Sequence, residues 1–388
     1  MKIAILTFNR TTNYGASLQC YALSTFLRDA GHETVIINLA MPGSNSPRWS
    51  FRRIASAIKR RFVNRFCNPQ LTEFDRYPVP QSRFVSLEEE LQDVFDQFSL
   101  EKTGVISPLF LSESDLKTNY PRADMYIVGS DQVWNPKITG NHALLYFFSF
   151  LHEEPRISYA ASFGGSVEVV FRKEDCLRLP ALLNQFKAVS VREESGRTFL
   201  SDRFNIHADV VVDPTFLIPV DNYRKLADES RICGKGYVYI YKFIINDSWV
   251  NTINEISRQM NLKVRNDGEF IQIPDFEYHP VLSVQGWLQL IQTSDFIITD
   301  SFHCTVFCLL FKKRFLTAPS YAGGEGRMVS LLKDAGLEDR FCRNIAQVRE
   351  KLPQLVKSID YDQVYDNLSK KIGDSKRFLL NQLSCNNQ

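Results

Sequence analysis

Ser294-Asp295-Phe296-Ile297-Ile298-Thr299-Asp300-Ser301-Phe302-His303-Cys304-Thr305-Val306-Phe307-Cys308-Leu309-Leu310-Phe311 is the stretch that decides the fold class. Phe296-Ile297-Ile298 reads as a short apolar strand. Thr299, Asp300 and Ser301 are all good helix N-caps, and an apolar helix continues from His303. A strand that feeds a helix through a polar turn leaves backbone N–H groups unpaired and aimed at the turn, which makes an anion site. His303 lies in that first turn. Taken alone, a histidine beside an apolar helix is more often a structural hydrogen-bonding group than a catalyst.

The same unit recurs on either side. Lys2 to Phe8 is an apolar strand, followed by a polar loop, a helix with Leu18, Ala22, Leu23, Phe26 and Leu27 at helical spacing, and a second strand over Thr34 to Asn38. Near-continuous apolar strands alternating with helices imply parallel sheets covered on both faces. Strands are expected at Asp124 to Gly129, Arg156 to Ser162, Ala188 to Val191 and Val210 to Val212. Each ends in small or polar residues, at the sheet edge where ligands bind in open α/β folds. Pro214 to Asp221, with two prolines, reads as an interdomain connection. A second set follows, with strands at Tyr237 to Ile245, Lys263 to Arg265 and Arg314 to Thr317. The expected organisation is therefore an N-terminal Rossmann-like domain over 1–213, with a helical excursion at about 42–120. A second such domain covers 222–345, and a helical tail at 346–388 packs back on the first. No Gly-x-Gly-x-x-Gly follows the first strand, so the ordinary dinucleotide fingerprint is absent.

Composition excludes several classes. The 388-residue chain is 44% hydrophobic and 23% charged with a net charge of +2, so nothing global demands nucleic acid. The eight cysteines form no Cys-x-x-Cys pair, and no leader segment or ~20-residue apolar run is evident. Reduced thiols and a cytoplasmic location are expected. Histidines show no metal-ligand spacing, and no metal is expected. From Arg48 to Phe66 an apolar face is surrounded by seven arginines and lysines with no acid. Such a helix can lie on the anionic inner face of a membrane, grip a phosphorylated carrier, or pack on the domain with a solvated outer face, the reading favoured here.

Four motifs line up in order: Asn13-Tyr14-Gly15-Ala16-Ser17-Leu18-Gln19, Val128-Gly129-Ser130-Asp131-Gln132-Val133-Trp134-Asn135-Pro136, Ser190-Val191-Arg192-Glu193-Glu194-Ser195-Gly196 and Thr299-Asp300-Ser301-Phe302-His303. Together they resemble the polysaccharide pyruvyl transferase family over most of the chain. The resemblance implies a GT-B-like fold, two Rossmann-like domains facing across a cleft. It implies phosphoenolpyruvate as co-substrate, with no cofactor, and a sugar acceptor in a polysaccharide or glycolipid precursor, lipid-linked oligosaccharide included. The product would be a cyclic pyruvate ketal on two hydroxyls, with phosphate released. It assigns donor binding and proton transfer to the positions of Arg192 and His303. Many members carry an arginine where this chain has Ser301, so a second donor-binding cation must come from elsewhere; Arg327 is the first choice, Lys242 or Lys312 the second.

Phosphoenolpyruvate carries a carboxylate and a phosphate, which call for arginine forks or helix N-termini. Arg192, Arg327 and the Ser301–Phe302 turn are the candidate donor site. His303 and Asp131 are the candidate catalytic residues: His303 as the acid–base group, and Asp131 orienting an acceptor hydroxyl or acting as its base, unless it only closes an Asx-turn. Tyr14, Gly15, Ser130, Gln132, Trp134 and Ser162 are candidates for the cleft, with Trp134 either stacking on a sugar or packing in the core. A nucleotide-sugar glycosyltransferase and a non-catalytic glycan-binding protein are the rival readings.

Overall fold

The computed structural model of the chain describes residues 1–40, 81–164, 169–232, 234–243, 245–266, 273–278, 281–319 and 325–384. The expected Arg48–Phe66 helix lies outside the described residues. The first half carries β1 (Lys2–Leu6), α1 (Tyr14–Asp29), β2 (Glu33–Ile36), α2 (Gln81–Lys102), β3 (Val105–Ile106), α3 (Glu113–Asn119), β4 (Met125–Val128), β5 (Arg156–Ser158), α4 (Lys173–Leu183), β6 (Ser190–Val191), α5 (Glu194–Phe204) and β7 (Asp209–Val210). After α6 (Val220–Asp228) the second half carries β8 (Tyr237–Tyr241), α7 (Asp247–Met260), β9 (Lys263–Asn266), β10 (Glu277–Tyr278), α8 (Val284–Thr293), β11 (Phe296–Thr299), α9 (Phe302–Leu310), β12 (Arg314–Thr317), α10 (Glu325–Ala335), α11 (Ile345–Leu355) and α12 (Tyr361–Ser384).

Both halves hold a five-stranded parallel sheet of the same order, β3-β2-β1-β4-β5 and β10-β9-β8-β11-β12. Their apolar strands are buried on both faces: Ile3 to Leu6 and Phe296 to Ile298 are all fully buried. In each sheet the chain reverses direction beside its first strand, so the crevice lies at the carboxyl ends of β1/β4 and of β8/β11. The β6–β7 pair extends the first sheet through the bridges Ile157↔Ala188 and Ala161↔Val191.

One apolar core runs through both halves. Tyr14 of α1 stacks on Trp287 of α8 at 5.1 Å, and Tyr223 of α6 meets Phe307 of α9 edge-on at 5.0 Å. Pro214 to Phe216, expected in a linker, forms a buried 3₁₀ turn in this core. Pro214 fixes backbone geometry inside packed structure, whereas Pro219, the residue before α6, is exposed. The last helix crosses back: Tyr361 donates to the Cys308 carbonyl at 3.1 Å, while Ser375 Oγ accepts from Val212 N at 3.0 Å.

The strand expected over Arg156 to Ser162 stops at Ser158. Ala160 has φ of 56°, which breaks the extended run, and Ala161 is carried across to bridge both Asp131 and Val191.

Candidate active site

Strand ends of the first half supply most of the polar groups. β4 delivers Ser130 and Asp131, β6 delivers Arg192 and Glu193, and the segment after β7 delivers Asp213. The second half adds the first turn of α9, Phe302 and His303. Ser301 caps that helix by accepting from Cys304 N at 3.3 Å.

These groups converge on one oxygen. Asp213 Oδ2 accepts from Arg192 Nη1 at 2.8 Å and from Ser130 Oγ at 3.0 Å, and His303 Nε2 stands 3.4 Å away. Asp213 Oδ1 is held separately by Thr215 N at 3.1 Å and Thr215 Oγ1 at 2.8 Å. Burial pushes the Asp213 carboxyl toward the neutral form, but His303 and Arg192 outweigh it and hold the group well below the usual carboxylate range. Arg192 is surrounded by acids, with Asp131 Oδ1 at 3.6 Å and Glu193 Oε2 at 4.0 Å besides Asp213. Burial disfavours its charge, and the three carboxylates more than offset this.

Hydrogen bonding here is incomplete. Arg192 Nε and Nη2, Glu193 Oε2 and His303 Nε2 are buried without a geometrically closed hydrogen bond. Each of these atoms faces an ionic partner at 3.4–4.0 Å, so charge holds the cluster together and hydrogen-bonding capacity is left over for polar ligand atoms. Phe302 forms the apolar wall, with the Arg192 guanidinium carbon 4.4 Å from its ring centroid and that of Arg327 at 5.6 Å. The cavity among Arg192, Asp213, Phe302, Arg327, Asp334 and Lys371 is about 20 Å³, room for roughly one water. The two halves pack against each other at this point, with Phe302 between the two guanidinium groups. A larger surface groove of about 460 Å³ beside α5, lined by Arg197, Asp202, Asn205 and His207, contains none of these groups.

Gly15 is required by the closure. A Cβ there would lie 2.1 Å from His303 Cγ and Nδ1, so only glycine lets α1 approach the imidazole. Asp131 has φ of 75°; its Oδ1 accepts from Gln132 N at 2.8 Å while facing Arg192, so it closes its own turn and joins the cluster.

Several expected cleft residues lie elsewhere. Trp134 is fully buried, stacked on Phe147 at 4.7 Å, and donates Nε1–H to the Tyr146 carbonyl at 2.9 Å. It belongs to the core of the first half and has no face for a sugar. Tyr14 is buried between the halves and donates to the Leu282 carbonyl at 3.2 Å, so it fastens the halves together rather than lining the cleft. Ser162 is buried and donates to Glu193 Oε1 at 2.8 Å, setting that carboxylate beside Arg192. Gln132 is half-buried and accepts from Asn135 Nδ2 at 2.9 Å. Lys242 is buried, donates to the Ala318 carbonyl at 2.8 Å and sits 3.4 Å from Asp300. Lys312 is at the opposite end of α9 from His303, half-exposed. Arg327 alone of the three candidate cations stands with Arg192 across Phe302. Asp213 was missing from the sequence-derived set, although Asp213-Pro214 ends an apolar strand as the other site motifs do.

Among the described residues no group of three His, Cys, Asp or Glu side chains is placed to hold a metal ion, and no helix is long and apolar enough to cross a membrane.

A family model described as polysaccharide pyruvyl transferase matches residues 13–318. A search of curated proteins returns no match. Among solved structures, the chain is similar to S. aureus MnaA in a co-structure with UDP, at 11% identity and TM-score 0.52, over 98% of this chain and 95% of that chain. It is similar to the UDP-GlcNAc 2-epimerase of Neisseria meningitidis bound to UDP-GlcNAc, at 11% identity and TM-score 0.52, over 99% of each chain. The UDP-GlcNAc 2-epimerase of Methanocaldococcus jannaschii, in complex with UDP-GlcNAc and UDP, matches at 11% identity and TM-score 0.51, again over 99% of each. Likeness at such identity is one of fold, the GT-B arrangement of two α/β units.

Proposed function

The chain belongs to the polysaccharide pyruvyl transferase family, and from that premise we propose that it moves pyruvate from phosphoenolpyruvate onto two hydroxyls of one sugar as a cyclic ketal. The acceptor belongs to a polysaccharide or glycolipid precursor, lipid-linked oligosaccharide included. The observation that carries the reading is the convergence of Arg192, Ser130 and His303 on Asp213 Oδ2. Three donors aimed at one oxyanion are what a donor substrate with a carboxylate and a phosphate needs.

In this reading the donor anion accepts from Arg192 Nε and Nη2, which close no hydrogen bond in the structure, with Arg192 and Arg327 as its cations on either side of Phe302. His303, oriented by Asp213, gives a proton to the methylene carbon, which becomes the methyl group. The first sugar hydroxyl adds to the neighbouring carbon and loses its proton. The C–O bond to phosphate breaks, the phosphate leaving with that electron pair. The second hydroxyl then adds to the same carbon and loses its proton, closing the ketal. One proton of the two released balances the one taken up by carbon, and the other leaves with the phosphate. Asp131 and Glu193 keep Arg192 charged and fixed in place throughout.

The test is phosphate release from phosphoenolpyruvate with methyl glycosides of galactose, mannose and N-acetylglucosamine as acceptors. Release that depends on acceptor, with a pyruvyl-sized mass gain on the sugar, is expected. Stabilisation against heat by UDP-GlcNAc and not by phosphoenolpyruvate, with no phosphate released, would sink the reading in favour of a nucleotide-sugar enzyme.

A further inference from the structure

The chain is rich in aromatic residues, with 29 Phe and 15 Tyr, and among those whose burial is described only one ring faces solvent: Phe243, 48% exposed. Its place is not incidental. It follows β8 at the carboxyl edge of the second sheet, beside the crevice. β8 pairs with β11 up to Tyr241↔Thr299, and two residues on the Phe243 N–H reaches the carboxylate of Asp300, in the turn that leads into α9 and His303. The backbone of Phe243 therefore stands beside the turn that presents the imidazole.

Phe243 is also fixed. Its N–H donates to both Asp300 oxygens, each at 3.1 Å, and Asp300 is itself 3.4 Å from the buried Lys242 ammonium. The ring meets Tyr241 edge-on at 5.5 Å, Tyr241 meets Trp287 at 5.4 Å, and Trp287 stacks on Tyr14, the neighbour of Gly15. An exposed ring at the end of a packed aromatic row, its backbone anchored by a buried carboxylate, is preorganised for contact at little entropic cost.

We propose that the Phe243 ring is the platform on which the acceptor sugar stacks. The inference rests on the pyruvyl transfer reading for the identity of the acceptor. A pyranose presents a face of C–H groups to such a ring, and removing that face from water is favourable, while its hydroxyls stay outward, free to reach the reacting carbon near His303. The sequence-derived candidate for this task, Trp134, is inside the core.

The test uses the full chain and a binding readout that needs no turnover. Saturation-transfer NMR with methyl β-galactoside, methyl α-mannoside and methyl β-N-acetylglucosaminide should give signal on one ring face of at least one glycoside. Phe243→Ala should abolish it, and Phe243→Trp should keep it. In turnover, Phe243→Ala should raise acceptor KM at least tenfold with KM for phosphoenolpyruvate within twofold of the parent. Equal signal in Phe243→Ala, or no signal from any glycoside with the parent protein, overturns the proposal. Sugar binding that depends on Phe243 without any phosphate release would keep the platform and remove the pyruvyl reading.

Discussion

His303 Nε2 lies 3.4 Å from Asp213 Oδ2, and the two residues come from different halves of the molecule. Asp213 thereby sets the orientation of the imidazole. Asp213→Asn keeps the shape and removes the charge. It should lower kcat for phosphate release by about 10²–10⁴-fold, the range of a displaced acid–base group, and alter the pH profile of kcat. A merely structural role would leave that profile unchanged. His303→Gln should lower kcat to a similar degree at saturating phosphoenolpyruvate.

Acid should weaken the protein through Asp213. Its carboxyl is held well below the usual range by His303 and Arg192, so the folded state binds this proton later than the unfolded chain. The stability it contributes is fully present above the unfolded value of about 3.9 and is lost as pH falls below it toward the folded value. Urea unfolding from pH 6 to 3 should show this decline, with a smaller slope in Asp213→Asn.

Arg192 and Arg327 should respond differently to mutation. Arg192→Gln strands Asp131, Glu193 and Asp213 in the interior and should destabilise by about 3–5 kcal/mol in urea unfolding, besides abolishing turnover. Arg327→Gln, at a half-buried position, should cost less stability than Arg192→Gln and should raise KM for phosphoenolpyruvate by roughly 10–100-fold, the value of a charge-assisted hydrogen bond.

Gly15→Ala drives a methyl into His303, 2.1 Å from Cγ and Nδ1 before relaxation. Displacing the imidazole by about 1 Å should lower kcat by about 10²-fold. Calorimetry should also show a lower melting temperature, because α1 can no longer seat against α9.

Trp134→Ala should destabilise by about 3–5 kcal/mol, as for other large-to-small core substitutions, and leave acceptor KM unchanged. A raised acceptor KM at full stability would contradict the placement of Trp134 in the core.

The sheet strands and the anion-friendly turn at Thr299 to His303 were legible because strand burial on both faces leaves continuous apolar runs and helix starts leave capping residues. His303 stood out beside the anion-friendly turn, whereas Arg192 and Arg327 were singled out through the family resemblance, Arg327 as the substitute for the arginine that Ser301 replaces. Trp134 was ambiguous for a physical reason: the polar residues around it describe a loop, and loop composition does not reveal that the chain folds back under Phe147 and Phe163. Asp213 is not legible in the sequence because the prolines beside it read as a linker, whereas its value comes from partners 83 residues away at Ser130 and in the other half at His303. Phe243 could not be distinguished from its buried neighbours Tyr239 and Tyr241 without knowing where β8 ends.

The seam from Gly15 to Trp287 has a consequence for how such a protein can diversify. Recombination that exchanges surface loops within one half leaves the carboxylate and the imidazole facing each other. Recombination that joins halves from two distant relatives must also match a glycine to a histidine and a tyrosine to a tryptophan. A chimera of two such halves should therefore close only where both pairs are matched.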